Sequence, residues 1–174
     1  LKNDLKLIKQ LPSTSELSFG LMISLIRKIN ESFDSVKNFN WDYTKYIGRQ
    51  LSGLTVCVIG YGRLGKIFCK QLAGFNVKII VVDPYVKKCK YRKMKLLDAL
   101  PIVDILVLHV HVTKETKRMI NNKTLRLMKN NSFIINTSRG ELVDEKAIVG
   151  RLKQKKLQGY ATDVISDEFS NINK

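Results

Sequence analysis

Apolar runs and helix-like spacings alternate along the chain from residue 54 onward. The runs predict strands at Leu54–Ile59, Val77–Val82, Asp104–His109, Ser132–Asn136 and Gly159–Asp163. Between them, apolar residues recur at helical spacing and predict helices over about 63–73, 95–101, 121–128 and 144–156. Several strand runs are almost continuously apolar, which is typical of a sheet covered on both faces. Because helices separate successive strands, the pattern predicts an α/β fold with a doubly wound parallel sheet.

The residues before this region follow a different pattern. Ser13 with Glu16 three residues later has the form of a capping box, and the apolar positions that follow predict a helix over about 14–30. This helix is apolar on more than one side, as expected if it packs against another domain or subunit. Residues 31–50 are predicted to be irregular. Their large apolar anchors are expected to be Trp41, Tyr43 and Tyr46.

Length and composition limit the classes of protein to which the chain can belong. Its 174 residues suit one ordinary globular domain, and with 44% hydrophobic residues it is not intrinsically disordered. It contains neither an apolar run near the roughly 18 residues of a membrane span nor a secretory pattern, so no membrane partner is expected. The chain opens on Leu1 without an initiator Met, which is compatible with a piece of a longer protein.

The charge balance is strongly basic, with 31 Lys and Arg against 15 Asp and Glu and a formal net charge of +16. Such a charge suggests nucleic-acid binding as one interpretation. However, 23 of the basic residues are Lys, they are spread along the chain, and the densest cluster (87–93) carries no recognised binding motif. The favoured interpretation is a solvated lysine surface without a nucleic-acid partner, which would still attract a dinucleotide or a carboxylate substrate.

Three cysteines, Cys57, Cys69 and Cys89, cannot all pair with one another, and their spacings match no zinc pattern. Cys57 lies in an apolar run and Cys69 in a helical pattern, so buried reduced thiols are predicted and no metal is expected. Reduced thiols favour a cytoplasmic location.

The sequence Gly60-Tyr61-Gly62-Arg63-Leu64-Gly65 is a G-x-G-x-x-G string that follows a predicted strand and opens a predicted helix. This context makes it the start of a Rossmann-type dinucleotide-binding unit. Gly60 would permit the tight turn, Gly62 would let the backbone approach a pyrophosphate, and Gly65 would allow close packing of helix on strand. The pyrophosphate would then lie on the unpaired N–H groups at the helix N-terminus.

Asp83 ends the second predicted strand, 18 residues after Gly65. At this place a carboxylate accepts hydrogen bonds from the ribose hydroxyls of the cofactor. It would also repel a 2′-phosphate, by about 4 kcal/mol per charge pair at 4 Å with an effective dielectric near 20. The sequence therefore favours NAD over NADP as the cofactor.

These motifs, taken with those further along the chain, resemble the D-isomer-specific 2-hydroxyacid dehydrogenases. The segments that carry the resemblance are Gly48–Leu54, Val58–Gly65, Val82–Tyr85, Leu106–Val110, Thr113–Thr116, Leu127–Lys129, Ile135–Asp144 and Gly159–Val164. The resemblance implies a Rossmann-type NAD-binding domain over residues 51–174. Residues 1–50 would be a leading helix and a dimerisation-arm-like segment, and a homodimer is expected.

The resemblance also implies roles for individual residues. Arg139 would hold the carboxylate of a small 2-hydroxy or 2-oxo acid and polarise its carbonyl group, Glu168 would orient a catalytic histidine, and Asp163 would meet the nicotinamide carboxamide. A planar guanidinium suits the two-point task of Arg139. The other residues placed at the cofactor are Arg63, Leu64, Pro84, His109, Val110, Thr116, Thr137 and Ser138.

Several positions depart from the family pattern. His111 and Phe169 stand where family members usually have Pro, and Asn130-Asn131 replaces a usual Pro-Gly turn. His109 and His111 belong to the adenine end in the family, so they are interpreted as cofactor-pocket or structural residues rather than as the catalytic acid.

The family's catalytic histidine lies downstream of its glutamate, and here six residues follow Glu168. Most of the family's substrate domain is also expected to be absent. Because reduction of a carbonyl group needs a proton as well as a hydride, this chain by itself is predicted to bind NAD with negligible turnover. Which 2-hydroxy acid the parent enzyme uses stays open. The alternative function is an NAD-sensing interaction module, like the co-repressors that share this fold.

Overall fold

The computed structural model describes residues 11–166, in which helices and strands alternate as the sequence predicts. The helices are α1 (Ser13–Ile26), α2 (Ile29–Lys37), α3 (Arg63–Leu72), α4 (Leu96–Ala99), α5 (Asn122–Leu127) and α6 (Glu145–Lys153). The strands are β1 (Thr55–Ile59), β2 (Lys78–Val82), β3 (Arg92–Lys93), β4 (Ile105–Leu108), β5 (Phe133–Asn136) and β6 (Gly159–Thr162). Short 3₁₀ turns lie at Tyr43–Tyr46, Ala73–Phe75 and Gly140–Leu142.

The six strands of the described region form one parallel sheet in the order β3-β2-β1-β4-β5-β6. The chain runs outward from β1 to β3, then crosses back to place β4 on the other side of β1. The predicted doubly wound α/β fold is therefore confirmed. The direction of winding reverses between β1 and β4, and in open α/β sheets the crevice at such a point binds ligands. The short edge strand β3 was not predicted, because its two exposed basic residues give no apolar signal.

Both faces of the sheet are buried, which explains why the strands read as continuous apolar runs. On one face, Cys57 and Ile59 of β1 pack in a cluster with residues of β2, β4 and the α4–α6 side. On the other face, Val56 and Val58 of the same strand pack in a second cluster. The helical members of this second cluster are Met22, Ile26, Phe68, Cys69 and Leu72, from α1 and α3.

The N-terminal helix differs from its prediction at both ends. α1 starts after Pro12 without a side-chain cap, so the predicted Ser13–Glu16 capping box is wrong. It ends at Ile26 rather than near residue 30, because Lys28 adopts the left-handed conformation with a φ of 54°. The α-helical hydrogen-bond pattern cannot continue through that conformation.

A second helix, α2, lies in the stretch predicted to be irregular. Ile29, Phe33 and Val36 recur at helical spacing but are all exposed, so the signal is present in a mostly polar segment. The expectation that Trp41 and Tyr43 are apolar anchors is also wrong, since they are 81% and 72% exposed. An aromatic residue in a sequence identifies apolar surface but not what covers it.

The C-terminal elements end earlier than predicted. α6 stops at Lys153 and not at residue 156, because Lys155 takes the left-handed conformation with a φ of 55°. The three cysteines are free, and Cys57 and Cys69 are buried as predicted, while Cys89 is half-buried. Burial raises the pKa of the Cys57 and Cys69 thiols to about 12. Within residues 11–166, no helix has the length and apolar character that crossing a membrane requires.

Candidate functional site

The glycine loop leaves β1 at the point where the sheet reverses its winding. Gly60 has a φ of 91°, and a Cβ at this position would strike the carbonyl oxygen of His109 and a methyl group of Val110. At Gly65 a Cβ would strike the carbonyl oxygen of Gly60, so helix α3 passes directly over the loop. Gly62, in contrast, is exposed and faces open space. The loop is therefore tight where it meets the protein and open where a ligand can approach.

The N-terminus of α3 begins at this open position. Gly62 is the N-cap and no side chain caps the helix. The first N–H groups of an α-helix have no partner within the helix, and they carry the positive end of its dipole. Arg63 is exposed and its guanidinium donates to the carbonyl oxygen of Leu11 at 2.6 Å. The main chain of Leu64 is fixed by Ser15 of α1, whose hydroxyl donates to its carbonyl oxygen.

Asp83 follows β2 and is bonded to the glycine loop. Its Oδ2 accepts the N–H of Tyr61 at 2.8 Å, while Oδ1 accepts the N–H groups of Tyr85 and Val86 at 2.9 and 3.1 Å. A carboxylate oxygen has two acceptor positions, so Oδ1 is fully used and Oδ2 retains one. The half-buried carboxylate thus both rigidifies the loop and keeps a free acceptor beside it. Pro84 is exposed next to it.

His109 and Val110 follow β4 and form the wall of the loop. The His109 ring packs at 5.1 Å from the Phe68 ring, and neither ring nitrogen has a hydrogen-bond partner within the described residues. Burial lowers the pKa of His109 to about 4, so the ring is neutral at pH 7. His111 lies in the exposed loop beyond. Thr116 closes that loop by donating from its hydroxyl to the His111 carbonyl oxygen at 2.7 Å.

The turn after β5 carries Arg139 and is built around a buried amide. Asn136 is fully buried; its Nδ2 donates to the Arg139 carbonyl oxygen at 2.8 Å and its Oδ1 accepts the Ser138 N–H at 3.1 Å. The Ser138 hydroxyl donates to the carbonyl oxygen of Leu108 at 2.7 Å, which joins the turn to β4. Sequence reasoning missed Asn136. The available signal was an amide at the buried end of an apolar strand, where a polar side chain needs partners.

The Arg139 guanidinium is exposed, and its contact within the described residues is a hydrogen bond to the Ser138 carbonyl oxygen at 2.6 Å. In residues 11–166 both ion pairs involve Asp104, so Arg139 has no carboxylate partner there. Thr137 differs from its neighbours. Its side chain is buried and hydrogen-bonded to Ser18 of α1, so only its main chain can face a ligand.

Beyond β6 the chain turns back toward Arg139. Asp163 is exposed just after the strand. The backbone of residues 165–166 passes so close to Gly140 that a Cβ there would overlap it. Glu145 holds this crossing by accepting the Ser166 N–H at 2.7 Å. Glu168 lies outside the described residues.

Most predicted site residues follow the carboxyl ends of neighbouring parallel strands and so share one edge of the sheet. Those strands carry the glycine loop (β1), Asp83 (β2), His109 and Val110 (β4), Ser138 and Arg139 (β5) and Asp163 (β6). Thr116 lies in the loop after β4 and is bonded to His111 there. The residues present fit a dinucleotide, because the loop is open at Gly62, next to uncapped N–H groups and a carboxylate with a free acceptor. Across residues 11–166, no three His, Cys, Asp or Glu side chains come together as a metal site.

Comparison with known proteins places this geometry in a family. Residues 19–174 match the model of the D-isomer specific 2-hydroxyacid dehydrogenase, NAD binding domain. The chain is 37% identical over 162 residues to D-3-phosphoglycerate dehydrogenase of Methanocaldococcus jannaschii, covering 90% of this chain and 31% of that protein. It is 36% identical over 160 residues to 2-hydroxyacid dehydrogenase A of Aspergillus oryzae, covering 90% of this chain and 46% of that protein.

A solved structure gives the same result. D-lactate dehydrogenase from Aquifex aeolicus, complexed with NAD and lactic acid, superposes with a TM-score of 0.85 at 32% identity, covering 89% of this chain and 48% of that one. The chain thus spans 31% to 48% of the length of these relatives. Their names are those of oxidoreductases, and the co-repressor alternative is not supported. The chain belongs to the D-isomer specific 2-hydroxyacid dehydrogenases and is an NAD-binding domain of that family.

Proposed function

We propose that this domain supplies the cofactor half of an active site for reversible hydride transfer between NAD(H) and C2 of a D-2-hydroxy or 2-oxo acid. The proposal rests on the position of the glycine loop and Arg139 at one edge of the sheet. There, an open glycine cradle and an arginine without a carboxylate partner in the described residues follow strands of the same sheet. A dinucleotide and an anionic substrate could be held side by side along such an edge.

Each part of the edge has a proposed task toward the cofactor. The main chain of Gly60, Gly62 and Gly65 and the N–H groups at the start of α3 hold the pyrophosphate, while Asp83 uses its remaining acceptor for a ribose hydroxyl. When bound, NAD supplies the hydride acceptor or donor. The further residues assigned to the cofactor are Arg63, Leu64, Pro84, His109, Val110, Thr116, the main chain of Thr137, Ser138 and Asp163.

Arg139 is proposed to bind the substrate carboxylate and to polarise the neighbouring carbonyl group. A guanidinium presents a planar fork of donors that matches a carboxylate, and its charge stabilises negative charge that develops on the carbonyl oxygen. Asn136 acts as a positioning residue, because its carboxamide fixes the backbone on both sides of Ser138. The relatives named above act on small acids of this kind, which supports the substrate class.

In this proposal, neither His109 nor His111 donates the proton that the reaction requires. The His109 ring packs against Phe68 with a pKa lowered to about 4, so it is neutral at pH 7 and a poor proton donor. His111 lies in an exposed loop on the adenine side of the proposed site. Glu168 is proposed to orient the catalytic histidine of the whole enzyme.

The test uses the 174-residue chain itself. Titration with NAD, followed by calorimetry and by melting temperature, should give saturable binding, while NADH oxidation with glyoxylate, pyruvate or hydroxypyruvate should stay at the uncatalysed rate. A folded chain whose melting temperature is unchanged at millimolar NAD would contradict the cofactor site. Sustained turnover by this chain would contradict the assignment of the proton donor.

We also propose that the protein is a homodimer that uses the exposed aromatic surface formed by Phe33, Phe39, Trp41 and Tyr43. Phe39 is 99% exposed and Trp41 is 81% exposed, and apolar surface of this kind on a folded domain marks contact sites. Light scattering should give twice the chain mass, and the double variant Phe39→Ser/Trp41→Ser should give the monomer. The matched control is Leu97→Ser/Ile102→Ser, which removes exposed apolar residues elsewhere and should leave the mass unchanged.

Free, mostly buried thiols support a cytoplasmic location. The lysine-rich surface is proposed to be solvated rather than a nucleic-acid interface. Duplex DNA should therefore bind weakly and be released by moderate salt, whereas tight binding with a steep salt dependence would contradict this.

A further inference from the structure

A cavity with a volume of about 430 Å³ lies between α5 and α6, away from the sheet edge. The two helices pack against each other, and residues of both line it. Neither the glycine loop nor Asp83 or Arg139 contributes to its wall. The cavity is therefore separate from the proposed cofactor and substrate site.

The wall of this cavity is strongly positive. Arg126 comes from α5, Lys146 and Arg151 from α6, and Lys156 from the turn that follows α6. The cavity wall contains no Asp or Glu, and none of these four cations forms an ion pair within residues 11–166. By contrast, Asp104 gathers both Arg49 and Lys129 within 3.4 Å. Arg126, Lys146 and Lys156 are exposed, and Arg151 is half-buried. Because they share one wall without a counter-charge, an anion bound there would be stabilised by all four.

The fold brings these cations together by specific contacts. The carbonyl oxygen of Arg151 accepts the N–H of Lys156 at 2.9 Å, so the chain after α6 folds back onto the helix. The left-handed conformation of Lys155 makes this return possible. The Nε of Arg151 is buried and has no acceptor within the described residues. A buried guanidinium N–H without a partner is unfavourable, and an anionic oxygen is the acceptor that it favours most.

We infer that this cavity binds a small molecule bearing at least two neighbouring phosphate or carboxylate groups. Arginine binds either group through paired hydrogen bonds, and the two lysines add charge without strict geometry. The amides of Asn122 and Gln154 in the same wall could bind uncharged oxygens of the ligand. A volume near 430 Å³ is within the range of small-ligand sites.

The experiment titrates the ¹⁵N-labelled chain with inorganic pyrophosphate and, separately, with citrate, at constant ionic strength. Amide signals from residues 122–126 and 146–156 should shift along a saturable curve with at least one of the two probes. Pyrophosphate alone would identify a phosphate site, and citrate alone a carboxylate site. If pyrophosphate also binds the cofactor site, the glycine-loop signals will shift. Because these signals differ from those of residues 122–126 and 146–156, binding at the two sites can be told apart.

Two double variants with the same loss of charge decide the outcome. Arg126→Gln/Arg151→Gln should weaken binding by about tenfold or more, as expected for the loss of charge-assisted hydrogen bonds. Lys70→Gln/Lys78→Gln, on exposed positions outside the cavity, should change it by less than about twofold. Arg126→Lys/Arg151→Lys keeps both charges and should bind more tightly than the double glutamine variant. This comparison shows whether weak binding by the glutamine variant comes from lost charge or from misfolding.

Three results would overturn the inference. One is a set of shifts that spread over all lysine-rich segments without saturation. Another is equal weakening of binding by the cavity variant and the control variant. The third is a response of the α5 and α6 signals to a DNA duplex but to neither small anion, which would assign the cavity to nucleic acid instead.

Discussion

The two ends of the proposed site are constructed differently. At β1 and β2 the surface is main chain: glycines at positions 60, 62 and 65 and the uncapped start of α3, with one carboxylate, Asp83, bonded to the loop. At β5 and β6 the surface is side chain, and Arg139 extends from a turn whose backbone is fixed by the buried carboxamide of Asn136. The first end requires positions without a side chain. The second requires a side chain, Arg139, on a backbone that other residues hold in place.

This difference determines how each end should fail. A side chain added at Gly60 or Gly65 collides with backbone, so the damage reaches the fold. Removing the Arg139 side chain, which is exposed, leaves the fold intact and removes a charge from the surface.

Arg139→Gln should lower kcat/KM of the proposed whole enzyme by about 10²–10³-fold, the range found when a donor to a developing oxyanion is removed. Glutamine keeps a polar side chain, but it is shorter and has no charge and no fork of donors. NAD affinity and the urea unfolding midpoint of the chain should stay within error, because Arg139 is exposed and has no ion pair in the described residues. A comparable loss of NAD affinity would show that the two ends are not separable.

Gly60→Ala should lower the free energy of unfolding by about 3 kcal/mol or more, since it combines a φ of 91° with a clash against the His109 carbonyl oxygen. The matched control is Gly53→Ala, at a φ of 83°, where a Cβ meets nothing within 4 Å. This control carries the conformational strain alone and should cost about 1–2 kcal/mol. Urea unfolding measures both. Equal losses of unfolding free energy in the two variants would mean that the close approach of Gly60 to the His109 carbonyl oxygen adds nothing to the cost of Gly60→Ala.

The same contrast explains how much the sequence could predict. The cofactor end is encoded locally: a strand, a contiguous glycine string, a helix and an acidic residue at a fixed distance can be read without knowing any long-range contact. The sheet follows for a similar reason, since buried parallel strands produce apolar runs. β3 was not predicted, because its two residues are basic and exposed and form no apolar run.

The Arg139 end could not be derived in this way. The role of Asn136 depends on the turn that it bonds, and that of Gly140 on a backbone segment more than 20 residues later in the sequence. In the sequence, such contacts are indicated only weakly, by an amide at the end of an apolar strand (Asn136) and by a glycine next to an arginine (Gly140). The N-terminal errors have a related cause, because the left-handed Lys28 that ends α1 has no distinctive residue type to reveal it.

His109 lies against the glycine loop and should make the stability of this end depend on pH. Its pKa is about 4 in the folded chain and near 6.5 in an unfolded one, so the unfolded chain binds more protons between these values. Stability therefore falls as the pH falls from 6.5 toward 4, by about 2 kcal/mol between pH 7 and pH 5 from this group. His109→Gln should remove that part of the slope in urea unfolding. His111→Gln is the matched control for loss of a histidine, and identical profiles for His109→Gln and the parent chain would contradict the assignment.

Asp83→Asn tests whether the one essential side chain of the main-chain end selects the cofactor. Asparagine keeps the shape, and its Oδ1 can still accept the N–H groups of Tyr85 and Val86. Its Nδ2 cannot accept the Tyr61 N–H, which weakens binding of both cofactors alike, and the charge that would oppose a 2′-phosphate is removed. The ratio of NAD to NADP affinity should fall by about tenfold, less than the full charge-pair repulsion because the half-buried site is partly screened. Asp163→Asn removes the same charge at the opposite end of the edge and should leave the ratio unchanged, although it weakens both cofactors if Asp163 contacts the nicotinamide. If both variants shift the ratio equally, selectivity comes from the overall charge of the domain and not from the position of Asp83, and the functional division between the two ends fails.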